Sequence, residues 1–160
     1  MAALRTTPSA VASGTAELVV PPDGAYLELV GQFVAYMARG RGFSEQAVAR
    51  LRLAADEACA NALEHGRLAD GGNVWPLRVV CETTAEGLCI RVRDRGRVFD
   101  PEALAPPQID APLEKRRIGG LGIYLMRRIM DSVEVVPSEE GKELVLTKRL
   151  VCGQEVGDDD

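Results

Sequence analysis

Two rhythms of apolar and polar residues run along the chain. The short rhythm occupies "AELVVPP", "PLRVVCET", "GLCIRVRD", "SVEVVP" and "ELVLTKRLV", runs rich in Val, Ile and Thr that read as strands. The first run stops at two prolines, which cannot extend a ladder. "TTAEG" reads as a hairpin turn between the second and third runs, and "SEEGK" as a turn between the last two. The longer rhythm begins in "DGAYLELVGQFVAYMARG", where Leu27, Val30, Val34 and Met37 recur at spacings of three and four. That spacing marks one face of a helix, which Gly40 and Gly42 end. A second helix runs through "FSEQAVARLRLAADEACANALEHG", with Ser44 as its N-cap, Glu45 in its first turn and a stop at Gly66. A third opens within "RRIGGLGIYLMRRIM". The order strand, helix, helix, strand, strand, loop, helix, strand, strand predicts helices packed on one face of a mixed sheet.

Three segments stand outside these rhythms. Residues 1–15, rich in Ala, Ser, Thr and Gly, are expected to form a flexible N-terminal tail, and residues 153–160 an acidic C-terminal one. Residues 16–152 then form a single domain. Inside it, "RGRVFDPEALAPPQIDAPLEKRRIGG" has four prolines and little periodicity. A segment of this kind is often a lid or binding loop, and the lid is placed at about residues 101–117.

Composition narrows the field. The chain has 160 residues, 46% of them hydrophobic, and a net charge of -5, as expected for one globular domain with a real core. Arg and Lys form no long run, which argues against a nucleic-acid groove. No apolar stretch approaches the roughly 20 residues of a membrane span, and the first residues lack the compact apolar block of a signal peptide. Cys59, Cys81, Cys89 and Cys152 include no C-x-x-C pair, and His65 is the single histidine, so a zinc site is not expected. Four free thiols in a reducing cytoplasm fit this usage, and the protein is expected to be cytoplasmic.

Candidate chemistry lies in three places. On a helical wheel of about 100° per residue, Leu51, Ala55, Ala58 and Ala62 form an apolar stripe, while Glu57 and Asn61 fall together on the other side. Their i, i+4 spacing makes them neighbours. Leu53, Ala54 and Ala60 surround them, rather than the Lys and Arg of an ordinary solvated face. A carboxylate can serve as a base, and an amide oxygen can ligate Mg²⁺. Asp94 ends a strand two residues before Gly96, which suits either a tight turn or an acceptor carboxylate beside a closely approaching flat ring. Gly120, Leu121 and Gly122 open the third helix, where bare backbone N–H groups can meet phosphate.

Taken in order, these elements resemble the ATPase superfamily shared by gyrase B subunits, a heat-shock chaperone family, histidine kinases and MutL. The Glu57–Asn61 stretch resembles its N-box, "DRGRVFD" its adenine-binding box and "GGLG" its phosphate-binding box. Through "EACANALEHG", "GGLGIYLMRRIMDSVEV" and "LVLTKRL", the chain is most similar to the stand-alone anti-sigma-factor serine kinases of bacterial partner-switching systems. Its length agrees, since gyrase B and MutL relatives carry a further transducer domain. The resemblance implies an α/β fold, a two-layer sandwich with helices on one face of a mixed, mostly antiparallel sheet. It implies ATP and Mg²⁺ as cofactors. Glu57 would be the general base toward a serine or threonine hydroxyl, and Asn61 would coordinate Mg²⁺. Asp94 would accept from the adenine amino group, Gly96 would admit the ring, and Gly120, Leu121 and Gly122 would hold phosphate. The implied substrate is a small anti-sigma-factor antagonist, with a sigma factor as a further partner and a homodimer as the assembly; nucleic acid and membrane are not implied partners.

Some positions depart from the family pattern or read two ways. Val98 and Ile118 stand where the family commonly has glycine, and Lys142 and Glu143 where a threonine is common. Lys115, Arg116 and Arg117 suit either phosphate neutralisation or surface solubility. His65 suits either the pocket wall or the last helical carbonyls. An alternative to the kinase is a nucleotide-responsive binding module with little or no phosphoryl transfer.

Overall fold

The strand patterns close into one five-stranded sheet with the helices on one side of it. A computed structural model of the chain describes residues 13–65, 75–96, 98–104 and 120–151. In order, β1 (Gly14–Val20) leads through a single 3-10 turn into α1 (Leu27–Arg41) and α2 (Glu45–His65). The hairpin of β2 (Leu77–Thr83) and β3 (Gly87–Asp94) follows, then α3 (Leu121–Ile129), then the hairpin of β4 (Ser132–Ser138) and β5 (Gly141–Arg149).

The spatial order is β1-β2-β3-β5-β4. The expected mixed sheet is antiparallel in every described pairing. Short hairpins force this for β2–β3 and β4–β5. Between β1 and β2, two helices lead the chain out and back, so β2 also reverses direction. The N-terminal boundary differs from expectation by two residues. Gly14 and Thr15, assigned to the tail, pair with Thr83 and Glu82, and Thr83 Oγ1 accepts from the Gly14 N–H at 3.0 Å.

Local signals set the helix ends. Asp23 Oδ1 accepts from the Ala25 N–H at 2.9 Å and starts the turn into α1. Gly42, at φ 103°, closes α1 with its N–H on the carbonyls of Ala38 and Arg39. Ser44 Oγ accepts from the Ala47 N–H at 3.2 Å, the N-cap bond expected at the start of α2.

The core fills the space between the layers. Val30, Val34, Ala35 and Ala38 of α1 and Leu51, Ala55 and Ala58 of α2 meet Val79, Ile90, Val92, Leu144 and Leu146 of the sheet, all essentially fully buried. Cys59 and Cys81 lie in this core as free thiols. Burial pushes both up to about 12, which leaves them protonated and inert at neutral pH. On the outer face the sheet is polar, with Arg78 on Glu17 at 2.9 Å and Arg91 on Glu143 at 3.5 Å. No helix among the described residues is long and apolar enough to cross a membrane.

Register decides what lies at the end of the core. Side chains alternate across a sheet with period two. The inward residues of β3 are therefore Leu88, Ile90, Val92 and Asp94, and those of β5 are Lys142, Leu144, Leu146 and Lys148. Ile90 faces Leu146, Val92 faces Leu144, and Asp94 faces Lys142. The apolar rows thus end on a charged pair turned toward the helices.

Candidate functional site

α2 packs between α1 and α3 and lies on β3, so more of its surface is covered than one apolar stripe requires. Ala54, expected on the polar side, is fully buried, while Leu53 and Ala60 stay exposed. Glu57 and Asn61 sit at the edge of the buried arc and are half-buried rather than turned to water. The first turn of α3 approaches this edge closely. A Cβ placed on Gly122 would lie 2.7 Å from Glu57 Oε2. With no side chain at Gly122, the main chain rests against the carboxylate where it now lies; a side chain there would displace it. One turn further on, Asn61 Nδ2 is buried and has no hydrogen-bond partner among the described residues. Buried amides are normally paired, so this end is open to an ordered water, an ion or a ligand. Rotation of the amide by half a turn presents Oδ1 there instead.

The start of α3 answers why glycines open a helix. Gly120 is its N-cap, at φ 113° and ψ -23°, a left-handed conformation that a side chain would strain. No side chain among the described residues caps the helix, so its first-turn N–H groups suit an outside acceptor. The helix dipole makes that end attractive to anions. Leu121 is half-exposed beside it, while Ile123 and Met126 anchor the helix in the core. Arg127 and Arg128 occupy the last turn, where cations are favoured.

Asp94 ends β3 beneath a loop. Its Oδ1 accepts from the Gly96 N–H at 2.5 Å, an Asx turn that fixes the Asp94–Gly96 step. The same Oδ1 lies 3.0 Å from Lys142 Nζ, with the two side chains 6% and 1% exposed. The Phe99 ring lies 5.3 Å from that Nζ. Pro101 is buried, and its carbonyl accepts from Arg127 Nη1 at 3.4 Å. The first residues of the expected lid are thereby tied to α3. Val98 is 49% exposed, free of the core.

The expected site residues fall into two groups. Glu57 meets Gly122 where α2 packs on α3, with Asn61 one turn further along α2 and Gly120 and Leu121 just before Gly122 at the start of α3. Asp94 and Gly96 gather at the end of β3, with Lys142 and Phe99, which sequence reasoning did not assign. α2 is common to both groups, since it packs on α3 and on β3. Lys142 was legible in principle, because it is in phase with Leu144 and Leu146. The lid beyond residue 104, Lys115, Arg116, Arg117, Ile118 and Gly119 lie outside the described residues, as do residues 1–12, Cys152, the C-terminal tail and the His65 side chain.

These features suit a nucleotide with a divalent cation. The orphan amide fits a hard-cation or phosphate contact, the uncapped helix start fits phosphate, and Asp94 fits a base amino group. A separate hollow of about 780 Å³ opens on the outer face of the sheet, among Trp75, Arg78, Arg93 and Glu143. Its lining reaches Asp94 but includes neither Glu57 nor Asn61.

A family model for the histidine kinase-like ATPase domain matches residues 20–148. The chain is also similar to the serine-protein kinase RsbW of Listeria monocytogenes, at 32% identity over 138 residues, covering 83% of this chain and 85% of the relative. It is similar to the serine-protein kinase RsbW of Bacillus cereus at 28% identity, covering 84% of each.

Proposed function

Because the chain belongs to the histidine kinase-like ATPase family, we propose that it transfers the γ-phosphoryl group of ATP, with Mg²⁺, to a serine or threonine of a small anti-sigma-factor antagonist. The enzyme is a serine/threonine protein kinase. We further assign it the regulatory role of holding a sigma factor, as a homodimer, in a partner-switching system of the cytoplasm. The outward face of α1, with Leu29 49% and Tyr36 77% exposed, suits a second copy.

Each residue has one task. Glu57 accepts the proton of the substrate hydroxyl as its oxygen forms a bond to the γ-phosphorus. The bond from that phosphorus to the β,γ-bridging oxygen breaks, ADP leaves, and Glu57 returns its proton to solvent. Asn61 holds the metal ion, which supplies charge neutralisation on the phosphates. The N–H groups at Gly120, Leu121 and Gly122 bind phosphate oxygens, Asp94 accepts from the adenine amino group, and Gly96 leaves room for the ring.

The observation that carries this reading is the orphan amide of Asn61, one turn from a carboxylate pressed against the bare main chain of Gly122. Radiolabelled ATP tests it, with a serine-bearing antagonist from the same genome. Label on serine or threonine is the expected result; ATP-dependent binding without label would favour the non-catalytic binding module.

Two substitutions probe the assignment. Asn61→Ala is expected to weaken ATP binding about tenfold in Mg²⁺ and hardly at all in EDTA, as read by calorimetry. Equal losses in both would remove Asn61 from the metal. Gly122→Ala puts a methyl carbon 2.7 Å from the present position of Glu57 Oε2, closer than the two can stand. The carboxylate is the far end of a flexible side chain, so it moves while the fold holds. Transfer is expected to fall about tenfold or more with the melting temperature little changed. Unchanged transfer would show that the position of Glu57 is not critical.

A further inference from the structure

Of the three lysines in the chain, Lys142 has a side chain only 1% exposed. Lysine is almost never fully buried unless it is paired. The β5 register forces this one inward, in line with Leu144 and Leu146 and directly opposite Asp94. Its ammonium carries three donors. One acceptor, Asp94 Oδ1 at 3.0 Å, meets them among the described residues, and the Phe99 ring stands 5.3 Å away. Asp94 is used just as unevenly. Oδ1 takes both Lys142 and the Gly96 N–H, while Oδ2 has no partner among the described residues. The pair therefore presents an unused acceptor beside an unused donor.

We propose that Lys142 reads the nucleobase: its Nζ donates to ring nitrogen N1 of adenine while Asp94 Oδ2 accepts from the adjacent 6-amino group. This rests on the assignment of Asp94 to adenine made above. Adenine carries a donor and an acceptor side by side on that edge, matching acceptor and donor on the protein. A 6-oxo purine reverses both. Its carbonyl would face the Asp94 carboxylate and its N1–H would face the Lys142 ammonium. Lys142 is thus a specificity-determining residue, and it holds the carboxylate in place for the amino group.

The test uses the full chain with Mg²⁺ and three nucleotides in calorimetric titrations: ATP, 1-deaza-ATP, which keeps the amino group and lacks N1, and ITP. The wild type is expected to bind 1-deaza-ATP at least about tenfold more weakly than ATP, and ITP more weakly still. In Lys142→Met, ATP and 1-deaza-ATP are expected to bind alike. Selective ¹⁵N labelling of lysine gives a readout that needs no variant. The Lys142 ammonium signal is expected to move with saturating ATP and to stay in place with 1-deaza-ATP. Equal wild-type affinity for the two nucleotides, an unmoved Lys142 signal with ATP, or a tenfold preference retained in Lys142→Met would each overturn the proposal. Absence of ATP binding to the wild type would overturn the adenine assignment of Asp94 itself, and this proposal with it.

Discussion

Glu57→Gln and Glu57→Ala are expected to bind Mg·ATP about as well as the wild type and to lose phosphoryl transfer by about 10² to 10⁴-fold, the usual contribution of a positioned general base. The two variants separate chemistry from packing. Gln keeps the volume that rests against Gly122 but cannot accept the hydroxyl proton as a carboxylate does. Ala removes both. If the carboxylate acts as base, the two variants fall together under single-turnover conditions with saturating ATP. If Glu57 only props the start of α3, Gln keeps nearly full activity and Ala loses it. Wild-type rates in both would make the base assignment wrong.

Asp94→Ala is expected to give the largest loss of stability. Lys142 and Asp94 are both nearly inaccessible, with a separation of 3.0 Å. Removing one partner of a buried pair strands a charge, at a cost of about 3–5 kcal/mol. For a domain of this size that lowers the melting temperature by roughly 10 °C. Removing both partners is a different matter, since a buried pair replaced by apolar side chains is often neutral. Asp94→Ala combined with Lys142→Met is therefore expected to recover most of the lost stability while nucleotide binding stays impaired. Thermal unfolding of the two single variants and the double variant measures the coupling directly. Additive losses would mean that the two charges do not depend on each other. An undiminished affinity of Asp94→Ala for ATP would remove Asp94 from base recognition.

The pattern of residues foretold most of the architecture because the physics behind it is local. The three- and four-residue spacing from Leu27 to Met37 gave α1, and Ser44 gave the start of α2 through a single side-chain bond. The strands followed from β-branched runs between turn signals. Harder to read was what depends on packing between distant segments. Ala54 is buried because α2 has neighbours on both sides, a fact that one helical wheel cannot contain. The Asp94–Lys142 pair depends on the register between β3 and β5, strands separated in the chain by the expected lid, α3 and β4. Both residues were noticed singly; only their alignment makes them a unit. The close approach of Gly122 to Glu57 likewise needs two helices in place. The Glu57–Asn61 spacing could suggest a site, but it could not distinguish a solvated face from one pressed under another helix.

We propose that the edge of α2, the start of α3 and the end of β3 form one nucleotide site. A calorimetric titration of Mg·ATP into the full chain decides the matter. One saturable site per chain, lost or strongly weakened in Asp94→Ala and weakened by Asn61→Ala only when Mg²⁺ is present, is the result expected. No detectable binding of adenine nucleotide to the folded wild-type protein in Mg²⁺ would contradict it.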